Sequence, residues 1–165
     1  MITQNMKKII TTLLMLLCLL PILPAIAAPK TKTSFTSSVT LIAGNPSIGT
    51  QVIDGDMLYV TQAVSIGTLE GDITGSLWTK LSGFGNLATM DGSFQGKFRI
   101  DTIEEVTFEG TVVGIVTGNL VSGSFVGFSN GTHDRQKIKG SFSGNVEYGS
   151  LAVNLVMNGL VTSKD

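Results

Sequence analysis

The stretch NGTHDR, Asn130 to Arg135, sets the only histidine of the chain directly beside an aspartate and an arginine. Those side-chain types can do acid–base work: an imidazole to move a proton, a carboxylate to orient it, a guanidinium to steady a developing anion. The spacing argues otherwise. Neighbours on an extended chain point to opposite sides, and Asn130-Gly131 is a strong turn-starting pair, so the stretch reads as a polar hairpin loop and no catalytic residue is assigned. Asn130 does head an Asn-Gly-Thr acceptor for an N-linked glycan, whereas Pro46 spoils Asn45-Pro46-Ser47. One histidine and one cysteine, Cys18, cannot build a metal centre, so neither a metal nor another cofactor is expected. The glycines of SGFGN, Ser82 to Asn86, precede a strand rather than a helix, which excludes a phosphate loop.

The other legible chemistry is apolar binding. Phe94, Phe98, Phe108, Phe125 and Phe142 fall in mid-strand on what reads as an inward face, and Tyr59 and Trp78 are expected near a barrel mouth; together they form the candidate ligand-binding set. On the strongest strands no carboxylate shares that face. Glu70, Asp72, Asp91, Glu109 and Glu147 all fall on the opposite one.

What must position these side chains is a series of strands. From Gly67 to Leu77 glycine falls at every fourth position with leucine or isoleucine midway. Read as a strand, Gly67, Leu69, Gly71, Ile73, Gly75 and Leu77 share one face, and Thr68 to Ser76 alternate on the other. Read as a helix the two sets mix, and each interior glycine costs about 1 kcal/mol against alanine. The alternation returns from Met90 to Ile100, Val106 to Gly118, Gly123 to Gly127 and Ile138 to Val146, with weaker strands at Phe35 to Ile42, Met57 to Ser65 and Leu151 to Val161.

The connections at Ser82 to Asn86, Asp101 to Glu105, Ser129 to Asp134 and Tyr148 to Ser150 are too short for crossover helices, so the expected fold is all-β: an up-and-down antiparallel barrel of about eight strands. Closure removes the exposed edges that an open sandwich would leave, and it gives the glycines a purpose, since a phenylalanine of one strand can lie over a glycine of the next.

Residues 1–27 read as a secretory signal peptide: Lys7 and Lys8, an apolar run from Ile9, and Ala25 and Ala27 as an A-x-A cleavage site. Pro21 and Pro24 interrupt the run before the roughly 20 apolar residues of a spanning helix. Residues 28–165 then form one barrel domain that is secreted or otherwise extracytoplasmic and, with Cys18 gone, free of disulfides. The formal charge of −1 is spread without a basic stripe, which argues against a nucleic-acid partner. Mid-strand phenylalanines in place of aromatic girdles, and the ending Ser163-Lys164-Asp165, argue against stable membrane insertion once the signal peptide is removed.

The segments GTLEGDITGSLW, MDGSFQGKFRI, FEGTVVGIVTG and IKGSFSGNV resemble the glycine-rich hairpins of the allene oxide cyclase and dirigent barrel superfamily, its microbial secreted members included, from Met57 to Val161. The resemblance implies an eight-stranded antiparallel barrel, trimeric in several members, with an apolar cavity; in the plant enzymes a few polar groups inside act on a bound hydrophobic substrate. With no carboxylate on the glycine face, none of those functional residues carries over. The leading reading is therefore a non-enzymatic barrel holding a small apolar ligand. The second is a structural or surface-interaction homo-oligomer that uses Val113, Ile115, Val126 and Phe128 on the outward face, and an isomerase or cyclase ranks third. A cavity of at least about 300 Å³ would favour the first, a solid interior the second, and a carboxylate facing the cavity the third.

Overall fold

The computed structural model describes residues 30–43, 50–131, 135–147 and 152–164. The proposed signal peptide lies outside them, as do Thr132, His133 and Asp134. The described residues form strands β1 (Lys30–Ala43), β2 (Thr50–Asp54), β3 (Met57–Gly71), β4 (Gly75–Asn86), β5 (Asp91–Thr102), β6 (Thr107–Thr117), β7 (Leu120–Ser129), β8 (Lys137–Glu147) and β9 (Ala152–Lys164), with no helix among them. Each of β3 to β8 pairs antiparallel with its successor, β9 pairs with β1, and β1 closes on β3 from Ser37↔Gly71 to Ala43↔Ser65. The result is the closed eight-stranded antiparallel barrel that the alternation implies.

β2 is a ninth strand outside the closed ring, and the sequence reading lacks it. It pairs with the first part of β3, Thr50↔Thr61 to Asp54↔Met57, while β1 takes the last part. β3 serves two neighbours because a bulge divides it: the register with β4 shifts between Val60 and Ala63, and Gln62 sits at φ 57°. The Gln62 N–H donates to Ser82 Oγ at 2.9 Å. A bulge bends its strand and increases the local twist, which turns the first part of β3 away from β1.

Two expected boundaries are corrected. Gly67 to Leu77 is not one strand: β3 ends at Gly71, whose φ of 134° suits glycine, and β4 starts at Gly75. Thr74 Oγ1 donates back to Gly71 O at 3.0 Å, fixing the turn between them. The alternation runs on in phase through this turn because Ile73 also points inward. Ser82 to Asn86, expected as a connection, belongs to β4; the turn is Leu87 to Met90, where Asn86 Oδ1 accepts from Ala88 N–H at 2.8 Å and Thr89 N–H at 3.1 Å.

Phenylalanine and glycine interleave inside, as the sequence pattern predicts. Phe98 lies over Gly110 and Gly127, Phe142 over Gly123, Phe125 over Gly140, Phe94 over Gly114 and Phe35 over Gly159. Ile100, Ile138, Leu69 and Val39 complete the most deeply buried layer. The charged side chains Lys80, Lys97, Arg99, Glu109, Lys137 and Lys139 stand at outward register positions, interspersed with exposed apolar ones such as Ile66, Val113, Ile115 and Val156.

The two ends differ. At one, Ile73 folds against the core and is held by the buried Ser37, whose hydroxyl donates to Ile73 O at 2.9 Å and accepts from Ile73 N–H at 3.0 Å. Ile103 N–H bonds Thr74 O at 3.0 Å, tying this plug to the next turn. Losing the hydroxyl leaves two backbone groups unpaired at a covered site. Ser37→Ala is therefore expected to cost about 2 kcal/mol, read as a lower urea midpoint at unchanged slope. At the other end, the mouth, the described residues include no such plug, and the hairpins there are joined by Leu87 N–H to Asp56 O at 2.7 Å.

Candidate functional site

The inward side chains do not fill the barrel completely. Phe98 meets Phe125 edge-on with centroids 5.9 Å apart at 85°, and Phe35 meets Phe125 at 6.3 Å, so these rings fill the middle of the barrel, while a hollow of about 390 Å³ lies at the plugged end beside Phe35, Ile73, Phe108 and Val161. Towards the mouth, Phe94 and Phe142 stack at 6.2 Å and 29°. Beside that pair lies a cavity of about 170 Å³ lined by Leu41, Leu81, Val112, Val121 and Met157 among others. It is smaller than the roughly 300 Å³ of common ligand pockets. It exceeds the roughly 150 Å³ of an engineered apolar cavity that takes up benzene. A trough of about 300 Å³ adjoins it along the inner face of Leu58, Val60 and Ala63, where β3 diverges from β1. Leu81, Phe94 and Val116 line both spaces, so Phe94 stands at their shared boundary.

Two hydroxyl-bearing residues, Ser65 and Thr79, interrupt the otherwise apolar lining of the cavity. Thr79, 5% exposed, contributes the one buried side-chain polar atom without a hydrogen-bond partner among the described residues, its Oγ1. Its register neighbours are Ser65 on β3, which also lines the cavity, and Phe98 on β5. The other buried hydroxyls are committed: Ser37 to Ile73, and Ser129 Oγ to Gln136 N–H at 2.8 Å. A buried hydroxyl without a partner costs about 1 to 3 kcal/mol, and this oxygen is covered by its neighbours and not presented to the cavity. No charged side chain occupies an inward register position in the described strands. Among the described residues the interior therefore presents apolar side chains and hydroxyls and no ionisable one.

Of the seven aromatic candidates, Phe98, Phe108, Phe125 and Phe142 are buried inside and Phe94 is half-buried there. Phe108 packs in the core without lining the cavity. Tyr59 and Trp78 lie on the outer surface: Tyr59, 45% exposed, stands between Val52 and Phe84, and Trp78 stands between Ile66 and Arg99. A tryptophan in an alternating strand takes its face from register alone, and even-numbered positions of β4 face outward. Asn130 is exposed, with its N–H bonded to Thr107 O at 2.9 Å. Arg135 stacks over Phe128, Cζ lying 4.5 Å from the ring centroid, with Lys137 Nζ at 5.8 Å. Val113, Ile115, Val126 and Phe128 are all exposed on the outer face.

Asp101 is the acid whose titration is displaced. The Thr107 hydroxyl, bonded at 2.7 Å, holds its carboxyl below the ordinary 3.8, burial opposes this slightly, and Arg99 Nε adds bonds at 3.0 and 2.9 Å. This cluster lies on the outer wall and ties β5 to β6. Among the described residues no three metal-ligating side chains come together.

Thr79 is the residue that sequence reasoning missed. A single threonine among outward Ser and Thr positions looks ordinary, and the one available signal is parity: Leu77, Thr79 and Leu81 alternate on one face of β4. No family model matches the chain, no curated protein matches it, and no solved structure matches it.

Proposed function

We propose that this chain is a non-enzymatic, exported barrel that carries a small apolar molecule in the mouth-side half of its interior. The observation that carries the reading is the apolar cavity that adjoins the trough, the two sharing Leu81, Phe94 and Val116 in their linings. A guest occupying both spaces gains apolar contact along its length. The charged outer wall suits a barrel surrounded by water, the signal-peptide reading of residues 1–27 supports export, and the resemblance to the allene oxide cyclase and dirigent barrels supplies a precedent for an apolar guest. Among the described residues no acid or base faces inward, so the binding reading is preferred to the isomerase alternative.

Native mass spectrometry of protein purified from its own host tests this reading. The wild-type chain is expected to retain a small neutral adduct and to take up an apolar dye. Separately, Thr79→Val removes an unsatisfied hydroxyl while keeping the side-chain shape, so it is expected to gain about 1 kcal/mol in chemical denaturation. A bare wild-type mass, together with no uptake of an apolar dye, overturns the reading.

A homo-oligomer is the second reading. It is favoured by the shallow hollow of about 760 Å³ on the outer wall, whose lining includes Tyr59, Phe84, Val113 and Ile115 and no charged residue. Subunit count comes from the same mass spectrum.

A further inference from the structure

Cations gather on one wall of the barrel, towards its plugged end. Even-numbered residues of β1 and β9, odd-numbered residues of β8 and even-numbered residues of β7 face outward, so the rows across these strands read Phe128–Lys137–Thr162–Lys32 and Val126–Lys139–Leu160–Ser34. Lys30 lies one outward position before Lys32 on β1, and Arg135, just ahead of β8, stacks on Phe128. All five cations are exposed, and none makes an ion pair with a described residue. The carboxylates that border this wall are engaged: Glu109, opposite Phe128, faces Arg99 at 3.8 Å, and Asp72 accepts from Thr36 N–H at 2.9 Å. In sequence, Asp134 and Asp165 add two negative charges and Lys164 one more positive charge. On the opposite side of the ring Lys80 and Lys97 also face each other, but Arg99 beside them is offset by Asp101 and Glu109.

A concentration of unpaired like charges attracts an anionic surface, and the apolar members of the wall decide which kind. Val126 and Phe128 are 38% and 39% exposed among the lysines, and Leu160 continues their band on β9. A hydrated anionic polysaccharide gains little from them. A bilayer surface offers phosphates to the cations and a partly apolar headgroup layer to the ring and the aliphatic stems of the lysines. We infer that this β7–β8–β9–β1 wall docks on an anionic lipid surface, the barrel lying against the membrane without crossing it. The inference does not depend on a guest in the interior.

Co-sedimentation with vesicles tests it, using protein exported by its own host. Phosphatidylcholine vesicles containing about a third phosphatidylglycerol are expected to bind the protein at about 0.1 M salt and to release it at about 0.5 M, and phosphatidylcholine alone to bind at least about a hundredfold more weakly. Each cation close to such a surface contributes about fivefold, so Lys137→Gln combined with Lys139→Gln is expected to lower partition about 25-fold, whereas Lys80→Gln combined with Lys97→Gln changes it by less than about twofold. Phe128→Ala is expected to lower partition about threefold and to leave binding of dextran sulfate unchanged. No partition onto the anionic vesicles, equal partition onto phosphatidylcholine alone, or equal losses from the two lysine pairs overturns the inference. Binding of dextran sulfate without binding of vesicles overturns it in favour of a soluble polyanion.

Discussion

Gly123→Ala is expected to leave the barrel largely unfolded, with a loss of about 3 kcal/mol or more. A methyl group there would overlap Val113 O and the ring tip of Phe142, and would lie 2.8 Å from Gly114 Cα. Val113 O belongs to the backbone of the β6–β7 pair, so relief requires the two strands to part. Such a loss is a large fraction of the roughly 5 to 15 kcal/mol that holds a domain of this kind together. Gly114→Ala is the control: its nearest obstruction is the ring tip of Phe94, which borders the cavity and the trough and has space to move into, so its loss is expected to be smaller. Urea denaturation followed by far-ultraviolet circular dichroism measures both. A Gly123→Ala protein within about 1 kcal/mol of wild type would contradict the interleaved interior.

Phe98→Ala is expected to cost about 4 kcal/mol by the cavity it leaves. The ring is 4% exposed, meets Phe125 edge-on and covers two glycines on two successive strands. No single neighbour can collapse into the space, because Gly110 and Gly127 carry no side chain to lend. Phe98 also lines the 170 Å³ cavity, so truncation enlarges a space that already exists. Benzene is accordingly expected to raise the melting temperature of Phe98→Ala by more than it raises that of the wild type, through mass action on the folded state. Scanning calorimetry with and without benzene checks both halves; equal shifts would mean that the neighbours had closed the hole.

The glycine and phenylalanine parity made most of this fold legible. A period of two, repeated between short connections, fixes which residues share a face, and β5 to β9 follow from it with shifts of a few residues at their ends. It does not show where a strand turns if the turn keeps the parity. Gly71 to Gly75 contains three residues between two inward glycines, so the alternation ran through the β3–β4 turn as if it were absent. β2 escaped notice for a different reason: all its residues are exposed, and a strand that buries neither face leaves no alternation to read. For the site, parity placed the five phenylalanines inside, whereas Tyr59 and Trp78 were judged by residue type and register carried them outside. Thr79 became visible only through the company it keeps, since whether a hydroxyl lacks a partner depends on atoms of β3 and β5 that are distant in sequence.

The stopper formed by Ile73 and Ser37 gives the molecule the topology of a cup. A guest bound as proposed would leave by the opening through which it arrived, and no second molecule could push it out from behind. Exchange would then be dissociative: its rate would be set by the departure of the first occupant, and a higher concentration of rival outside would shorten only the time for which the vessel stands empty.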